Sequence, residues 1–411
     1  MKLARVGALA CAAWFPLMVT NACSSSDTNP VTSNHDGGGA EGGSSGSPGS
    51  VQFTASGEVL ALGGYGFPPA TADDPAFVDG WEVKFSEVIV TIDKITLSEN
   101  PDKVPTDQSQ TDGVVAEVDG PWVVDLHKGG PLQGKGGADE QSIQIAELTT
   151  QNKNGDKPFD PAKRYAFGFD LVPATAAAKR VNLDAQGTTD YQDMVAKGIV
   201  VLYVGTATFK GSNCNPNNDP TLNALPTVVN FRFGFKSPTT YANCQNPDND
   251  PAKGFDTEEH QRGVSIKENA PTIAQVTVHT DHPFWESVEH DSPAHFDQLA
   301  ALATATGGGD AGAGGTATIV IDDLKGVDLT AFKTKGGQPL KWRSCVDSTR
   351  YTLPTTNPMG FDPKSVPLNP TGTPDKALRD YYDYFTYNQS TQGHLNSDGL
   401  CYVKRNYPSP P

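Results

Sequence analysis

From residue 51 onward, apolar residues alternate with polar ones at a spacing of two, in short runs separated by Gly, Pro, Asn and Asp. Successive side chains of a strand point to opposite faces, so alternation over about four to eight residues buries one face of a sheet. Trp81-Glu82-Val83-Lys84-Phe85 alternates without a break. In 88–97, Val88, Val90 and Ile92 mark one face, and Ile89, Thr91, Asp93 and Ile95 the other. The runs 52–62, 114–118, 122–126, 164–172, 228–235, 264–267 and 273–280 also read as strands, and 143–148 fits either a strand or one helical turn. The most apolar run, 199–209, is expected at a sheet centre. Asp119-Gly120-Pro121 reads as a hairpin-like turn. With 42 Gly and 32 Pro, the expected fold is mainly β: β-sandwich-like antiparallel sheets with a few short helices and two disulfides. One helix is expected over 188–196. A second follows Ser292 as N-cap and Pro293 at N1, with Phe296, Leu299, Ala300 and Ala303 facing the core and Gly307 stopping it. A third covers 374–387, with Leu378, Tyr381, Tyr382 and Phe385 at helical spacing on a face expected to pack in the core.

The N-terminus reads as an address. Lys2 and Arg5 precede an apolar stretch, 6–20, and then Asn21-Ala22-Cys23. Residues 1–22 form a signal peptide with a Cys at the expected cut site. It resembles a bacterial lipoprotein signal, in which Cys23 takes lipid, with Thr20 where such signals usually carry Leu; a plain secretory signal is the alternative. Residues 23–50 are then the lipidated Cys and a flexible Ser/Gly linker, with a reach of about 30 Å. Gly42-Gly43-Ser44-Ser45-Gly46 matches G-x-S-x-G but has no strand before it or helix after it, so it is no nucleophile elbow. Residues 51–411 make one β-rich exported domain with a C-terminal helical and loop extension. The expected location is the outer membrane or cell surface of a Gram-negative cell. Membrane contact is expected through the lipid alone, since no run after residue 22 approaches about 20 apolar residues.

Cys11 leaves with the signal and Cys23 is lipidated, which leaves Cys214, Cys244, Cys345 and Cys401. An even count in an exported chain points to two disulfides with three connectivities, and nearest-neighbour pairing, 214–244 and 345–401, is the expectation. A zinc-thiolate site lacks the C-x2-C pair it needs. The formal charge of −17 becomes −19 once Lys2 and Arg5 are removed. That acid excess excludes a nucleic-acid surface, which must displace counterions with Lys and Arg, and an anionic-lipid-binding surface.

Half of the eight histidines, His279, His282, His290 and His295, lie within 17 residues. Along the preceding strand Ala274, Val276 and Val278 face one way, and Gln275, Thr277 and His279 the other. In an ideal strand His282 points away from His279; both reach one ion only if the chain turns at Thr280-Asp281, and Pro283 ends the ladder. Neutral imidazole is a common metal ligand, and Asp281 is placed to ligate or to orient a ring. A site needs three or four such groups. His290, His295, in the first turn of its expected helix, and His394 of Gln392-Gly393-His394-Leu395 are the candidates to complete it. Nitrogen ligands favour copper or zinc over calcium. His127, at a strand end, is a weaker candidate, and Asp219, Asp248 and Asp250 offer a Ca²⁺ set beside two Asn-Cys turns. For catalysis the residues offer Asp281-His282 with Ser287 or Ser292 as a triad, or Glu286 or Glu289 as base beside a bound zinc. H-E-x-x-H, a P-loop and a dinucleotide fingerprint that follows a strand are missing from the sequence.

Ile273 to Leu302 with His279-Thr280-Asp281-His282 and Phe284-Trp285, Gly393-His394-Leu395 near Cys401, and Phe231 to Cys244 resemble uncharacterised exported lipoproteins of myxobacteria and related delta-type proteobacteria. The resemblance implies an exported, disulfide-containing β domain and no established activity. The resulting expectation is a lipid-anchored exported binding protein with one copper or zinc ion, and otherwise no cofactor, at His279, His282 and His394, with His295 as fourth candidate. The alternatives are a metal-free structural or surface-interaction lipoprotein and, third, a zinc metallohydrolase.

Overall fold

The structure, a computed structural model, describes residues 49–71, 74–249, 260–288, 292–306, 314–329, 331–353 and 378–406. The signal peptide, Cys23, the linker before residue 49, Asp250, Glu289, His290 and residues 374–377 lie outside the described residues.

The 18-residue strand Trp81–Ser98 is the spine. Along one edge it pairs with Val201–Phe209 and then Arg164–Leu171; along the other with Trp122–Asp125 and Val114–Val118. The last two therefore follow one another along the same neighbour, so Asp119-Gly120-Pro121 joins two collinear strands and not a hairpin. Val201–Phe209 lies between Trp81–Ser98 and Val228–Phe235, which accounts for its apolar run. This is the larger of two antiparallel-rich sheets, twelve strands against six.

In the smaller sheet Ser50–Ser56 sits between Pro271–Val278, parallel to it, and Gln141–Leu148, antiparallel. The run 143–148 is thus a strand. Gly393–Leu395 extends the sheet beyond Pro271–Val278, and Gly399–Leu400 beyond that. The two sheets share one core: Phe53 of the smaller and Phe167 of the larger have ring centroids 6.2 Å apart. Phe231, Phe233, Phe284, Phe296 and Phe385 pack in the same core. The fold is mainly β and sandwich-like, with five short α-helices and two disulfides among the described residues.

Several boundaries differ from the sequence reading. The first strand ends at Ser56, whose hydroxyl accepts the Glu58 N–H at 2.9 Å, and Glu58–Gly63 is helical. The helix expected over 188–196 runs Ala185–Lys197, capped by Asp184 and stopped by Gly198 at φ 66°. It packs Tyr191 and Met194 on Ile89, Val123 and Leu202, in a second, smaller core. Ser292 does not cap a helix; its hydroxyl meets that of Ser287. The helix is Asp297–Leu302, and a residue remote in sequence caps it: Asp79 accepts the N–H groups of Phe296 and Asp297, each at 2.7 Å. The last helix is Tyr381–Gln389, begun by Asp380, with Tyr381, Tyr384, Phe385 and Tyr387 buried as core.

The disulfides are Cys214–Cys345 and Cys244–Cys401, which corrects the nearest-neighbour pairing. Thr239–Ala242 pairs antiparallel with Tyr402–Arg405, Ala242 opposite Tyr402, so Cys244 and Cys401 meet at the end of one ladder. Cys345 docks where its N–H reaches the Val78 carbonyl at 2.7 Å, beside Gly80 and Gly211; a Cβ on either glycine would lie 2.7 Å from its sulfur. Sheet pairing decides which thiols meet, not separation along the chain. Among the described residues, no helix is long and apolar enough to cross a membrane.

Candidate metal centre

Pro271–Val278 buries Ala274, Val276 and Val278 in the core and turns Gln275 and Thr277 the other way. This polar face is also buried. Gln275 Nε2 donates to Glu140 Oε1 at 2.7 Å and Thr277 Oγ1 at 2.9 Å, and the Lys135 N–H donates to Gln275 Oε1 at 3.1 Å. The His279 N–H donates to the Gln392 carbonyl at 3.0 Å, which carries the pairing one residue past the strand. Across the ladder His394 stands opposite Thr277 and therefore shares its face, diagonal to His279. The rings of His279 and His394 stack, centroids 4.2 Å apart and planes 7° apart.

The chain then makes the turn that convergence requires. Asp281 takes helical angles, φ −86° and ψ −23°, and His282–Phe284 forms a single 3-10 turn. His282 comes back to lie 5.3 Å from His279 and 5.4 Å from His394, perpendicular to both. The ligating atoms of the three imidazoles lie within 4.8 Å of one another.

His282 is oriented by its surroundings. Its Nδ1 is 2.7 Å from Thr391 Oγ1, whose hydroxyl donates to the Asn388 carbonyl at 2.8 Å. The Thr391 oxygen is then the acceptor, His282 carries its proton on Nδ1, and Nε2 holds the lone pair. Trp285 stacks on the ring at 3.8 Å and donates its indole N–H to Asp281 at 3.2 Å. Asp281 thus acts on His282 through Trp285.

Two carboxylates flank His279. Glu58 Oε1 is 3.5 Å and Asp398 Oδ1 3.9 Å from its Nε2, and the three form a second group at ligand spacing. Burial alone would lower the His279 pKa; Glu58 above all, with Asp281 and Asp398, outweighs it and lifts the value to about 9. Burial raises Glu58, but His279 and the Ser397 hydroxyl bring it below its ordinary value. The carboxylates therefore favour the protonated form of His279. Three imidazoles, two of them almost wholly buried, suit a nitrogen-preferring ion such as zinc or copper.

His295 is not part of this cluster. It precedes its helix, with Nε2 2.7 Å from Glu286 Oε2 and Nδ1 3.8 Å from Asp79 Oδ2, and it packs on Trp342 and Tyr351. Asp79 caps Asp297–Leu302, and the turn that delivers His295 is set by that contact and not by Ser292. Glu286, offered by the sequence as a base, is engaged by His295 and by the Tyr351 hydroxyl at 2.9 Å. Ser287 and Ser292 bond to each other. His127 donates Nδ1–H to the Ala61 carbonyl at 2.8 Å. Of the calcium candidates, Asp219 caps Pro220–Asn223 and pairs with Lys341, while Asp248 pairs with Lys135.

Sequence reasoning missed Glu58, Thr391 and Asp398. Asp398 left a faint signal, four residues after His394 in Asn396-Ser397-Asp398-Gly399. Glu58, more than 200 residues before His279, left none. Fold and site together define a β-rich, disulfide-bonded protein with a cluster of three imidazoles, two of them buried. The chain matches no family model, no curated protein and no solved structure.

Proposed function

We propose that this protein is an exported, lipid-anchored metal-binding protein that holds one zinc or copper ion through His279, His282 and His394. The observation that carries the reading is the convergence of three imidazoles from two strands and a turn onto ligand spacing. The burial of His282 and His394 favours holding an ion over turning over a substrate, which needs an open coordination position reached by solvent. Anchoring rests on the signal and Cys23, and two disulfides suit an oxidising compartment.

Metal analysis of protein purified without added metal tests the core of this reading. One equivalent of zinc or copper is expected, and it is lost in a His279→Ala/His282→Ala double variant. A chain that holds no ion and takes up neither when titrated refutes it. The anchor has its own test: a Cys23→Ser variant should move from the membrane fraction to the soluble fraction.

A further inference from the structure

We infer that Glu58, His279 and Asp398 form a second cation site, beside the three imidazoles and open to solvent, that takes an oxygen-preferring divalent ion such as Mn(II). It goes beyond the reading above: the two groups have only His279 in common, and this one uses neither His282 nor His394.

Three separate parts of the chain deliver its donors. Glu58 begins the short helix Glu58–Gly63, just after the first strand. His279 follows Pro271–Val278. Asp398 lies in the turn between Gly393–Leu395 and Gly399–Leu400, which pair antiparallel. That turn is tied to the other two parts: the Ser397 N–H donates to Thr277 Oγ1 at 2.9 Å, and its hydroxyl donates to Glu58 Oε1 at 2.8 Å. The ligating atoms of Glu58, His279 and Asp398 lie within 4.8 Å of one another.

The spacing fits a shared cation better than hydrogen bonds. Two donors about 2.0–2.6 Å from one cation, at ligand angles of about 90–110°, lie roughly 2.8–4.2 Å apart. Glu58 Oε1 is 3.5 Å and Asp398 Oδ1 3.9 Å from His279 Nε2, inside that range and long for an N–H···O bond. His279 Nε2 is moreover a buried atom with no hydrogen-bond partner. Such an atom has given up its bonds to water without replacement, and a cation between it and the carboxylates supplies the partner.

The donor set then selects the ion. Two carboxylates offset the charge of a divalent cation, and oxygen donors suit Mn(II), in contrast to the zinc or copper that three imidazoles prefer. The Asp398 side chain is 45% exposed, against 13% for His279 and 17% for Glu58, so water can reach the ion from one side and complete its shell. The Ser397 hydroxyl orients the Glu58 carboxylate and leaves it lone pairs for the ion.

The test uses the full chain, stripped with a chelator and titrated with Mn(II) alone, with electron paramagnetic resonance reading the free ion. Wild type should take up Mn(II). Glu58→Gln and Asp398→Asn, both close in shape to the native residue, should each weaken that uptake at least about tenfold, while His394→Ala leaves it near wild type. A wild-type chain that takes up no Mn(II) overturns the inference and leaves the three groups as an ion pair only. Uptake unchanged in both carboxylate variants also overturns it, since the ion then sits elsewhere. The three-imidazole reading fails separately, if zinc and copper binding ignore His394→Ala while Mn(II) uptake still depends on Glu58 and Asp398. A crystal of wild type soaked in Mn(II) decides without any variant: an anomalous peak between Glu58, His279 and Asp398 supports the site, and its absence there overturns it.

Discussion

Asp79 is wholly buried and spends one oxygen on the N–H groups of Phe296 and Asp297. Burial, with Asp297 close by, raises its pKa from 3.8 to about 7, against the opposing pull of His295. Between those values the folded chain keeps a proton that the unfolded chain has released. This residue's contribution to stability is thus greatest below pH 3.8 and is lost as pH rises through about 7. Asp79→Asn removes the titration, so the variant's unfolding free energy relative to wild type should climb between pH 4 and 7 in paired denaturant titrations. A difference that stays flat with pH would contradict this account. Thr391 offers a second test at this scale. It touches no ion, yet it sets the His282 tautomer, so Thr391→Val should weaken metal binding by about 10–100-fold while leaving the circular dichroism spectrum unchanged.

The elements divide by whether their signals are local. Trp81–Ser98, Val201–Phe209 and Val228–Phe235 are legible as alternation because a strand's two faces are written into neighbouring residues. The start of Asp297–Leu302 is not legible, because its cap comes from Asp79, more than 200 residues earlier, and the Ser292-Pro293 signal is overridden. The thiol pairing is likewise non-local. Peptide mapping without reduction should find 214–345 and 244–401. Replacing Cys244 and Cys401 together by Ala should cost about 2–5 kcal/mol in denaturant unfolding, since the crosslink closes a long loop. It should also loosen the candidate metal site, because Gly399–Leu400, beside Cys401, pairs with the strand that carries His394. Unchanged metal affinity in that variant would separate the crosslink from the site.

For the whole molecule, the site joins parts of the chain that are distant in sequence: His279 and His282 after Pro271–Val278, and His394 near the end. An ion bound there ties the folded state alone, and by mass action a free ion at a hundredfold excess over its Kd adds about 2.7 kcal/mol. The thermal midpoint should therefore rise with added zinc, return on chelation, and stay put in His394→Ala. A wild-type midpoint indifferent to zinc would count against a site that spans the fold.

The sequence by itself determined the class of the fold, the side of the strand on which His279 lies, and the need for a turn before His282. Each follows from the two-residue period of a strand or from a Pro that cannot continue one. The tertiary structure alone decided that His394 joins them, that His295 turns instead to Glu286 and Asp79, and that Glu58 flanks the cluster. It alone decided which cysteines pair. These are contacts across strand registers and remote caps. Their energy lies in pairing residues far apart in the chain, and no local period or spacing records that pairing.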